Sequence, residues 1–319
     1  MRVIIAGGTG VIGRRLANDM ARDGHEVIVL SRSPKLVEGL SAAVRVEGWD
    51  ARTSGGWGAL ADGAGAIVNL AGANLAGDGF LPTRWTDERK RLLVESRVNA
   101  GRAVVAAVAQ AAKKPAVVIQ ASAVGYYGPR ANSEDVAEGA PPGDDFPARL
   151  CVDWEASTQP VEALGVRRAV IRSGVVLSFR GGALQRMALP FSLFVGGPFG
   201  SGQQPFPWIH PADEIGAIRF LIHRAEASGA FNLTAPHLLT NAEFSRALGR
   251  AMSRPSLLPV PGFAFKTAFG EVASILLTGQ RAVPARLLEL GYEFQFPEVN
   301  AALADLYRAE MARGARTAG

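Results

Sequence analysis

The chain has 319 residues, 48% of them hydrophobic and 20% charged, with a formal net charge of +5 at pH 7. This composition excludes disordered and fibrous proteins and is sufficient for a large core and two domains. No apolar run reaches eighteen residues, and the first apolar segment leads straight into a glycine turn. We therefore expect no membrane span, no leader peptide and a cytoplasmic protein.

The cysteine, histidine and arginine content narrows the function classes further. A single cysteine, Cys151, excludes an internal disulfide and a cysteine-based zinc site, and the four scattered histidines lack metal-ligand spacing. We therefore predict no metal. The arginines form no long basic run, so the positive charge indicates attraction of anions, and a nucleic-acid partner is not expected.

Short apolar runs alternate with helical patterns through the first half of the chain. This alternation is typical of βαβ units and predicts an α/β fold with a Rossmann-type, doubly wound parallel sheet. The predicted strands are residues 2–6, 26–31, 44–47, 66–71, 116–121 and 168–173, and the strongest helical patterns are 10–23 and 86–112. Each strand ends in small or polar residues, so we expect a ligand crevice at the carboxyl edge of the sheet.

The pattern becomes irregular after Ser173 and predicts a smaller, mixed α/β C-terminal lobe. Thr240 and Glu243 form a capping-box pattern that begins a helix ending near residue 252. The other predicted elements are a strand at 230–234, an extended proline-rich segment at 254–261 and helices at 262–278 and 299–312. We predict a cofactor-binding domain at 1–175 and a substrate-binding lobe at 176–319.

A glycine-rich turn, Gly7-Gly8-Thr9-Gly10-Val11-Ile12-Gly13, connects the first strand to the first helix. The first glycine of this spacing permits a tight turn, the second lets a pyrophosphate approach the backbone, and the third permits close helix–strand packing. The helix N-terminus adds free N–H donors and partial positive charge. The turn predicts a dinucleotide site that includes Gly7, Thr9, Gly10, Val11, Ile12 and Gly13.

The end of the second strand predicts which dinucleotide binds. An NAD-preferring domain usually has an acidic residue there, whereas this chain has Ser31-Arg32. A guanidinium can pair with a 2′-phosphate that a carboxylate would repel. We therefore predict NADP(H) as the cofactor, with a surface arginine as the alternative role of Arg32 and Asp50 as a further adenine-side candidate.

Several segments resemble the extended short-chain dehydrogenases. Residues 7–13, 69–72 (Asn-Leu-Ala-Gly), 121–128 (Ala-Ser-Ala-Val-Gly-Tyr-Tyr-Gly) and 172–174 (Arg-Ser-Gly) occur in the order of that family. Residues 153–155, 206–210, 240–244 and 283–287 resemble its atypical "epimerase family" subgroup, which is nucleoside-diphosphate-sugar epimerase-like. That subgroup carries a short C-terminal extension, which here would span about residues 254–303.

The resemblance implies a cofactor site with Ser31, Arg32, Leu70, Ala71, Gly72, Arg97 and Glu155. Two interpretations stay open for Arg97, which either reaches the cofactor or pairs with Glu88 or Glu95 on the helix surface. Glu155 either accepts from a ribose hydroxyl or pairs with Arg149, and we favour the ribose.

The resemblance breaks at the catalytic residues. Active members of the superfamily use a Tyr and a Lys four residues apart, because the lysine lowers the tyrosine pKa. In the corresponding helix the two positions four residues apart are occupied by Leu150 and Trp154, or in the other register by Cys151 and Glu155. The Tyr–Lys pair is therefore missing. We interpret Cys151 as a core residue.

Replacement catalytic residues are sought on the loop after the fifth strand. Tyr126 is the candidate acid and Ser122 the candidate for polarising a carbonyl, although Ala123 occupies the usual serine position. One of the adjacent tyrosines is expected to pack under the loop while the other lines a pocket, and Tyr127 is a substrate-binding candidate. Three acids, Glu134, Asp135 and Glu138, are interpreted as a solvated lid.

Trp208 and His210 resemble a segment that closes over the substrate, and both are substrate-binding candidates. His210 has a second interpretation as the cap of the helix that begins at Pro211. Gln203, Gln204 and Arg186 are expected near the same cleft, which would suit a small anionic or sugar-nucleotide-like substrate.

Two functions remain open. One is an enzyme that transfers hydride between NADP(H) and a carbonyl or hydroxyl carbon, alone or within an epimerisation. The other is a catalytically inactive sensor or regulatory protein that binds NADP(H), which the missing Tyr–Lys pair favours. The resemblance also implies a homodimer through residues 86–112 and 148–164.

Overall fold

The computed structural model describes residues 1–77, 79 and 81–317. The strands are β1 (Arg2–Ala6), β2 (Glu26–Ser31), β3 (Val44–Gly48), β4 (Ala66–Asn69), β5 (Val117–Ala123), β6 (Asp135–Val136), β7 (Arg167–Ser173), β8 (Val175–Val176), β9 (Trp208–Ile209), β10 (Gly229–Leu233) and β11 (Arg281–Ala282). The helices are α1 (Val11–Arg22), α2 (Asp87–Gln110), α3 (Phe146–Ala156), α4 (Pro160–Ala163), α5 (Gly182–Ser192), α6 (Pro211–His223), α7 (Asn241–Met252), α8 (Gly262–Phe269), α9 (Ser274–Leu277), α10 (Ala285–Glu289) and α11 (Val299–Thr317).

A seven-stranded parallel sheet forms the centre of the fold, in the order β10-β7-β5-β4-β1-β2-β3. The predicted Rossmann-type sheet is confirmed, and its six predicted strands form with ends shifted by at most two residues. The strand order reverses between β1 and β4, and a ligand crevice opens at such a switch point, beyond the carboxyl ends of the strands.

Both faces of the sheet are buried, as expected for parallel strands covered by helices. Val3 and Ile5 of β1 pack in one core cluster with Leu16 of α1 and Ile218 of α6. The intervening Ile4 packs in a second cluster on the opposite face, which includes α2 residues. Successive apolar side chains of a strand therefore point to opposite faces of the sheet, and each face is covered by its own set of helices.

The C-terminal half of the chain contributes to both parts of the molecule. Helix α6 packs on the central sheet and β10 forms its edge, so residues 211–233 return to the first domain. Helices α5, α7 and α11 pack around a separate cluster that includes Phe191, Phe244 and Leu303. A boundary at residue 175 therefore does not separate all residues of the two parts, because residues 211–233 belong to the first. The domain boundary stays a prediction.

The local expectations for the second lobe can be compared with its elements. The Thr240–Glu243 capping box is present and begins α7. Residues 254–259 lack regular structure, whereas the helix predicted over 262–278 is interrupted by a 3-10 turn between α8 and α9. None of the described helices is long and apolar enough to cross a membrane.

Candidate functional site

The glycine turn packs directly against the end of β4. Gly7 has φ +77°, and a Cβ added to it would lie 2.7 Å from the carbonyl oxygen of Leu70 and 2.9 Å from Ala71 N. A Cβ on Gly13 would lie 2.5 Å from the Gly7 carbonyl oxygen. Only glycine fits these two positions without moving backbone, so the sequence spacing produces a close strand–turn–helix junction.

The first turn of α1 leaves its N–H groups available to a ligand. Gly10 is the N-cap, it makes no side-chain cap bond, and the first turn contains no acidic residue. A Cβ on Gly10 would meet only the Gly7 carbonyl oxygen at 3.4 Å, so the surface above it is open. Thr9, Val11 and Ile12 surround this surface and are exposed or half-buried. An uncapped helix N-terminus of this kind suits an anion.

The end of β2 places Ser31 and Arg32 next to the end of β1 in the sheet. Ser31 is 8% exposed and its Oγ accepts from Ser33 N, whereas Arg32 is exposed. Arg32 has no hydrogen bond or ion pair with any other described residue. Asp50, in contrast, accepts from the backbone N–H of Arg52 and Thr53 and from the Thr53 hydroxyl. Both its oxygens hold a local turn, and its role as an adenine-side candidate stays a prediction.

Arg97 is a buried cation beside the end of β4. It is 6% exposed, its guanidinium lies 4.7 Å from the ring centre of Trp154, and its Nη1 donates to Leu93 O at 3.0 Å. A Cβ on Gly72 would lie 3.0 Å from the guanidinium carbon. Burial lowers the pKa of Arg97 to about 10, and its Nε has no hydrogen-bond partner in the described part of the chain. The interpretation of Arg97 as a surface partner of Glu88 or Glu95 is therefore wrong.

Glu155 is held in a three-residue network on one face of the sheet. Its Oε1 accepts from Ser122 Oγ at 2.7 Å and from Arg172 Nε at 2.8 Å, and its Oε2 accepts from Arg172 Nη2 at 2.9 Å. Arg149 instead donates to the Asp144 carbonyl, so the proposed Arg149–Glu155 pair is wrong. Sequence inspection missed Arg172 as the partner, because the two residues are 17 positions apart.

The adjacent tyrosines have different environments. Tyr126 is half-buried and its ring stacks on the Arg172 guanidinium, 3.4 Å from the ring centre. Tyr127 is 0% exposed, and its hydroxyl donates to Asn232 Oδ1 at 2.7 Å and accepts from Arg172 Nη1 at 3.1 Å. Burial raises the pKa of Tyr127. Tyr127 is thus the tyrosine under the loop, and its assignment to substrate binding does not fit this burial.

Two further substrate-binding candidates are also buried. Trp208 is 1% exposed and His210 is 2% exposed. His210 Nδ1 accepts from Ala212 N at 3.1 Å, which confirms its interpretation as the cap of α6. Burial lowers the pKa of His210 to about 4, and its ring stacks on Phe296. Trp208 packs in the core of the C-terminal lobe and His210 caps α6, so neither side chain is available to a substrate.

Cys151 and Glu138 show how burial determines the role of a reactive group. Cys151 is 4% exposed, and burial together with Glu155 raises the pKa of its thiol to about 11, so the core interpretation is confirmed. Glu138 is 7% exposed and its carboxylate accepts from the backbone of Asn232 and Arg286. Asp135 pairs with Arg281 in the β6–β11 region. The interpretation as a solvated acid is therefore wrong for Glu138, whereas Glu134 and Asp135 are exposed.

A cavity of about 220 Å³ lies between the sheet edge and the C-terminal lobe. Its apolar walls include Leu75, Val124, Met187, Phe199, Phe206 and Leu276, and its polar lining includes Asp145, Ser173, Gln204, Asn241, Thr278 and Gln280. Of the expected cleft residues Gln204 lines it, whereas Gln203, Arg186, Ser122, Tyr126 and Glu155 do not. No Lys, Arg or His occurs among the described lining residues.

Ser173 and Glu214 form a pair at this cavity that the sequence analysis missed. Ser173 lines the cavity at the end of β7, and its Oγ donates to Glu214 Oε1 at 2.7 Å. Glu214 is 0% exposed and burial raises its pKa from 4.5 to about 8. One signal was available, because Glu214 lies on the same helical face as the apolar Ile218 and Leu221.

Comparisons with known proteins agree with this arrangement. The mouse epimerase family protein SDR39U1 is 38% identical over 309 residues, covering 96% of this chain and 99% of that protein. The Bacillus subtilis epimerase family protein YfhF is 34% identical over 315 residues, covering 96% of this chain and 98% of that protein. The crystal structure of human SDR39U1 (isoform 2) with NADPH has a TM-score of 0.83 and 35% identity, covering 97% of this chain and 99% of that one.

Two family matches divide the chain. Residues 260–306 match a domain of unknown function, DUF1731, which confirms the expected C-terminal extension. Residues 3–234, which include the glycine turn, Arg97 and the β7 edge, match the NAD dependent epimerase/dehydratase family. The chain therefore belongs to the NAD dependent epimerase/dehydratase family.

Proposed function

We propose that this chain binds NADP(H) at the β1–β4 switch point and is an oxidoreductase for a small, neutral carbonyl or hydroxyl compound. The observation that carries the proposal is the placement of the cavity, which opens at the same carboxyl edge of the sheet as the glycine turn. When bound, the reduced dinucleotide supplies a hydride.

The residues of the turn and its neighbours fit this cofactor. The open backbone at Gly10 and the uncapped start of α1 would hold the pyrophosphate. Arg32, exposed and unpaired among the described residues, would hold the 2′-phosphate. Arg97 is a buried cation without a carboxylate partner in the described chain, and an anionic ligand would compensate it. The NADPH in the human SDR39U1 structure supports the same cofactor.

The cavity favours a neutral substrate over an anionic one. A sugar nucleotide carries a diphosphate, and buried diphosphates are most strongly bound by cationic side chains. The described lining offers neither Lys, Arg nor His, and its charged member Asp145 already accepts from Ala148 N. A volume of about 220 Å³ also lies below the range of roughly 300–1,000 Å³ typical of drug-sized ligands. The Thermus thermophilus UDP-glucose 4-epimerase, with 19% identity and a TM-score of 0.76, shares the fold alone.

The second candidate is an NADP(H) sensor without turnover. Leu150, Cys151, Trp154 and Glu155 stand where the family pair is expected, and Glu155 is already bound by Arg172. A sensor would use the same cofactor site, and the cavity would have no chemical role. The two candidates therefore differ in turnover and agree in NADPH binding.

Turnover on a defined panel separates the two candidates. NADPH consumption is followed with small neutral aldehydes and ketones and, in parallel, with UDP-sugars. We expect turnover on neutral compounds, and its loss with retained NADPH binding in Ala183→Phe, which places a ring in the cavity. Ala109→Phe, on an exposed position of α2, is the matched control. NADPH binding without turnover on any compound would contradict the oxidoreductase and favour the sensor.

Three expectations stay predictions. A homodimer through α2 and α3 has exposed Leu92 and Val152 on those helices as its local support. A cytoplasmic location has only the single buried cysteine as support. Catalysis by Tyr126 or Ser122 has no support from the cavity lining.

A further inference from the structure

Ser173 lines the cavity at the end of β7. In the β5–β7 pairing, Ala123 is the partner of Ser173, and Ser122 is the partner of Arg172. Successive side chains of a strand point to opposite faces, so Ser173 shares a face with Ala123, and Ser122 shares the other face with Arg172. Ala123 and Ser173 line the cavity, whereas Ser122 does not and is bonded to Glu155.

Ser173 is backed by a carboxyl group that water does not reach. Glu214 is 0% exposed, its Oε1 is 2.7 Å from Ser173 Oγ, and its Oε2 has no partner among the described residues. A charged carboxylate in this place would lack compensation. The protonated form is favoured accordingly, and burial raises the pKa of Glu214 to about 8.

The other titratable groups near Glu214 are already bound. Tyr292 donates its hydroxyl to the Asp213 carbonyl at 3.0 Å, and the Asp213 carboxylate accepts from Gln295 N at 2.7 Å and Phe296 N at 2.9 Å. Neither of these two groups is positively charged, so neither would stabilise the Glu214 carboxylate. Because a hydroxyl both donates and accepts, a protonated Glu214 donates to Ser173 Oγ and leaves the serine proton for the cavity.

We propose that Ser173 and Glu214 are the proton-donating pair of this chain, with Ser173 as the catalytic residue and Glu214 as its positioning and proton-supplying partner. This inference rests on the proposed function. As the hydride reduces the substrate carbonyl carbon, the carbonyl oxygen takes the Ser173 proton and becomes a hydroxyl. Ser173 takes the Glu214 proton, and after the product leaves, water in the cavity returns a proton to Glu214 through the Ser173 hydroxyl. Oxidation of an alcohol follows the same path in reverse.

The first test needs no substrate. Infrared difference spectra of the full chain are recorded across pH 6–10 for wild type, Glu214→Gln and Ser173→Ala. We expect a protonated-carboxyl band in wild type that is absent from Glu214→Gln, shifts in Ser173→Ala and disappears around pH 8. A carboxyl that is ionised at pH 6, or a band that Ser173→Ala does not move, overturns the pair.

The second test measures turnover on the neutral aldehyde and ketone panel. We expect Ser173→Ala to lower kcat by about 100-fold or more, with KM and the NADPH Kd changed by less than about twofold. Ser173→Thr should restore much of kcat because it restores a hydroxyl, and Glu214→Gln should lower kcat and abolish its pH dependence. Ser245→Ala, at a buried serine of α7 outside the cavity, is the matched control. Unchanged kcat in Ser173→Ala overturns the catalytic role.

Failure of the inference and failure of the proposed function give different results. If wild type and Ser173→Ala reduce the panel compounds equally well, the proposed oxidoreductase function stands and the proton-donating pair is overturned. Wild type that binds NADPH but reduces nothing contradicts both, even where the infrared band shows a protonated Glu214.

Discussion

Arg172 grips both carboxylate oxygens of Glu155, with Nε 2.8 Å from Oε1 and Nη2 2.9 Å from Oε2. The side chains are 6% and 14% exposed, so this is a nearly buried, two-point ion pair. It fixes the end of β7 to α3 and supplies the guanidinium on which Tyr126 stacks. The pair therefore holds the loop next to the cavity, which makes Glu155 a structural residue as well as a cofactor candidate.

Removing one partner of this pair should destabilise the protein strongly. Glu155→Leu leaves a buried guanidinium without its counter-ion, and we expect a loss of about 3–5 kcal/mol in the free energy of unfolding. The double variant Glu155→Leu/Arg172→Met should recover much of the loss. Urea denaturation provides the measurement, with Glu310→Gln, in an exposed pair with Arg180, as a control expected to cost less than about 1 kcal/mol. Equal losses in the single and double variants would contradict the pairing.

Glu214 should make stability depend on pH. Its pKa is raised in the fold, so its stabilising contribution is fully present below pH 4.5 and is lost as pH rises through about 8. Wild type should therefore lose stability relative to Glu214→Gln between pH 5 and 9, by a few kcal/mol in order of magnitude. Urea denaturation of both proteins at several pH values measures the difference. A difference that stays constant with pH would mean that Glu214 does not titrate in this range.

Arg97 should affect cofactor affinity more than stability. In Arg97→Met the lost contact with Trp154, about 1–2 kcal/mol, is offset by relief of an unpartnered buried N–H, about 1–3 kcal/mol. We expect the free energy of unfolding to change little and NADPH affinity to fall roughly 10- to 100-fold. Arg102→Met, an exposed arginine of the same helix, is the control for calorimetry and denaturation. An unchanged NADPH Kd would remove Arg97 from the cofactor site.

The fold and the glycine turn could be predicted because their information is local. A short apolar run defines each strand, and Gly7, Gly10 and Gly13 lie within a segment of seven residues. The edge strand β10 was also predicted from its apolar run, although its place beside β7 depends on the packing of the whole sheet.

The catalytic side of the site depends on contacts between distant residues. Ser173 and Glu214 are 41 positions apart, and their meeting depends on how α6 packs against the sheet. Trp208 and Tyr127 had suitable chemistry for a cleft, but tertiary packing buries them. Residue type alone does not distinguish a lining aromatic from a core aromatic.

The most direct test of the central claim is a calorimetric titration of NADPH and NADH into wild type and Arg32→Asp. We expect saturable binding of one NADPH per chain, tighter than NADH in wild type, because the exposed Arg32 is free to pair with the 2′-phosphate. In Arg32→Asp the NADPH Kd should rise at least about tenfold while the NADH Kd changes far less. Absence of binding by both dinucleotides, or equal weakening of the two, would contradict the account.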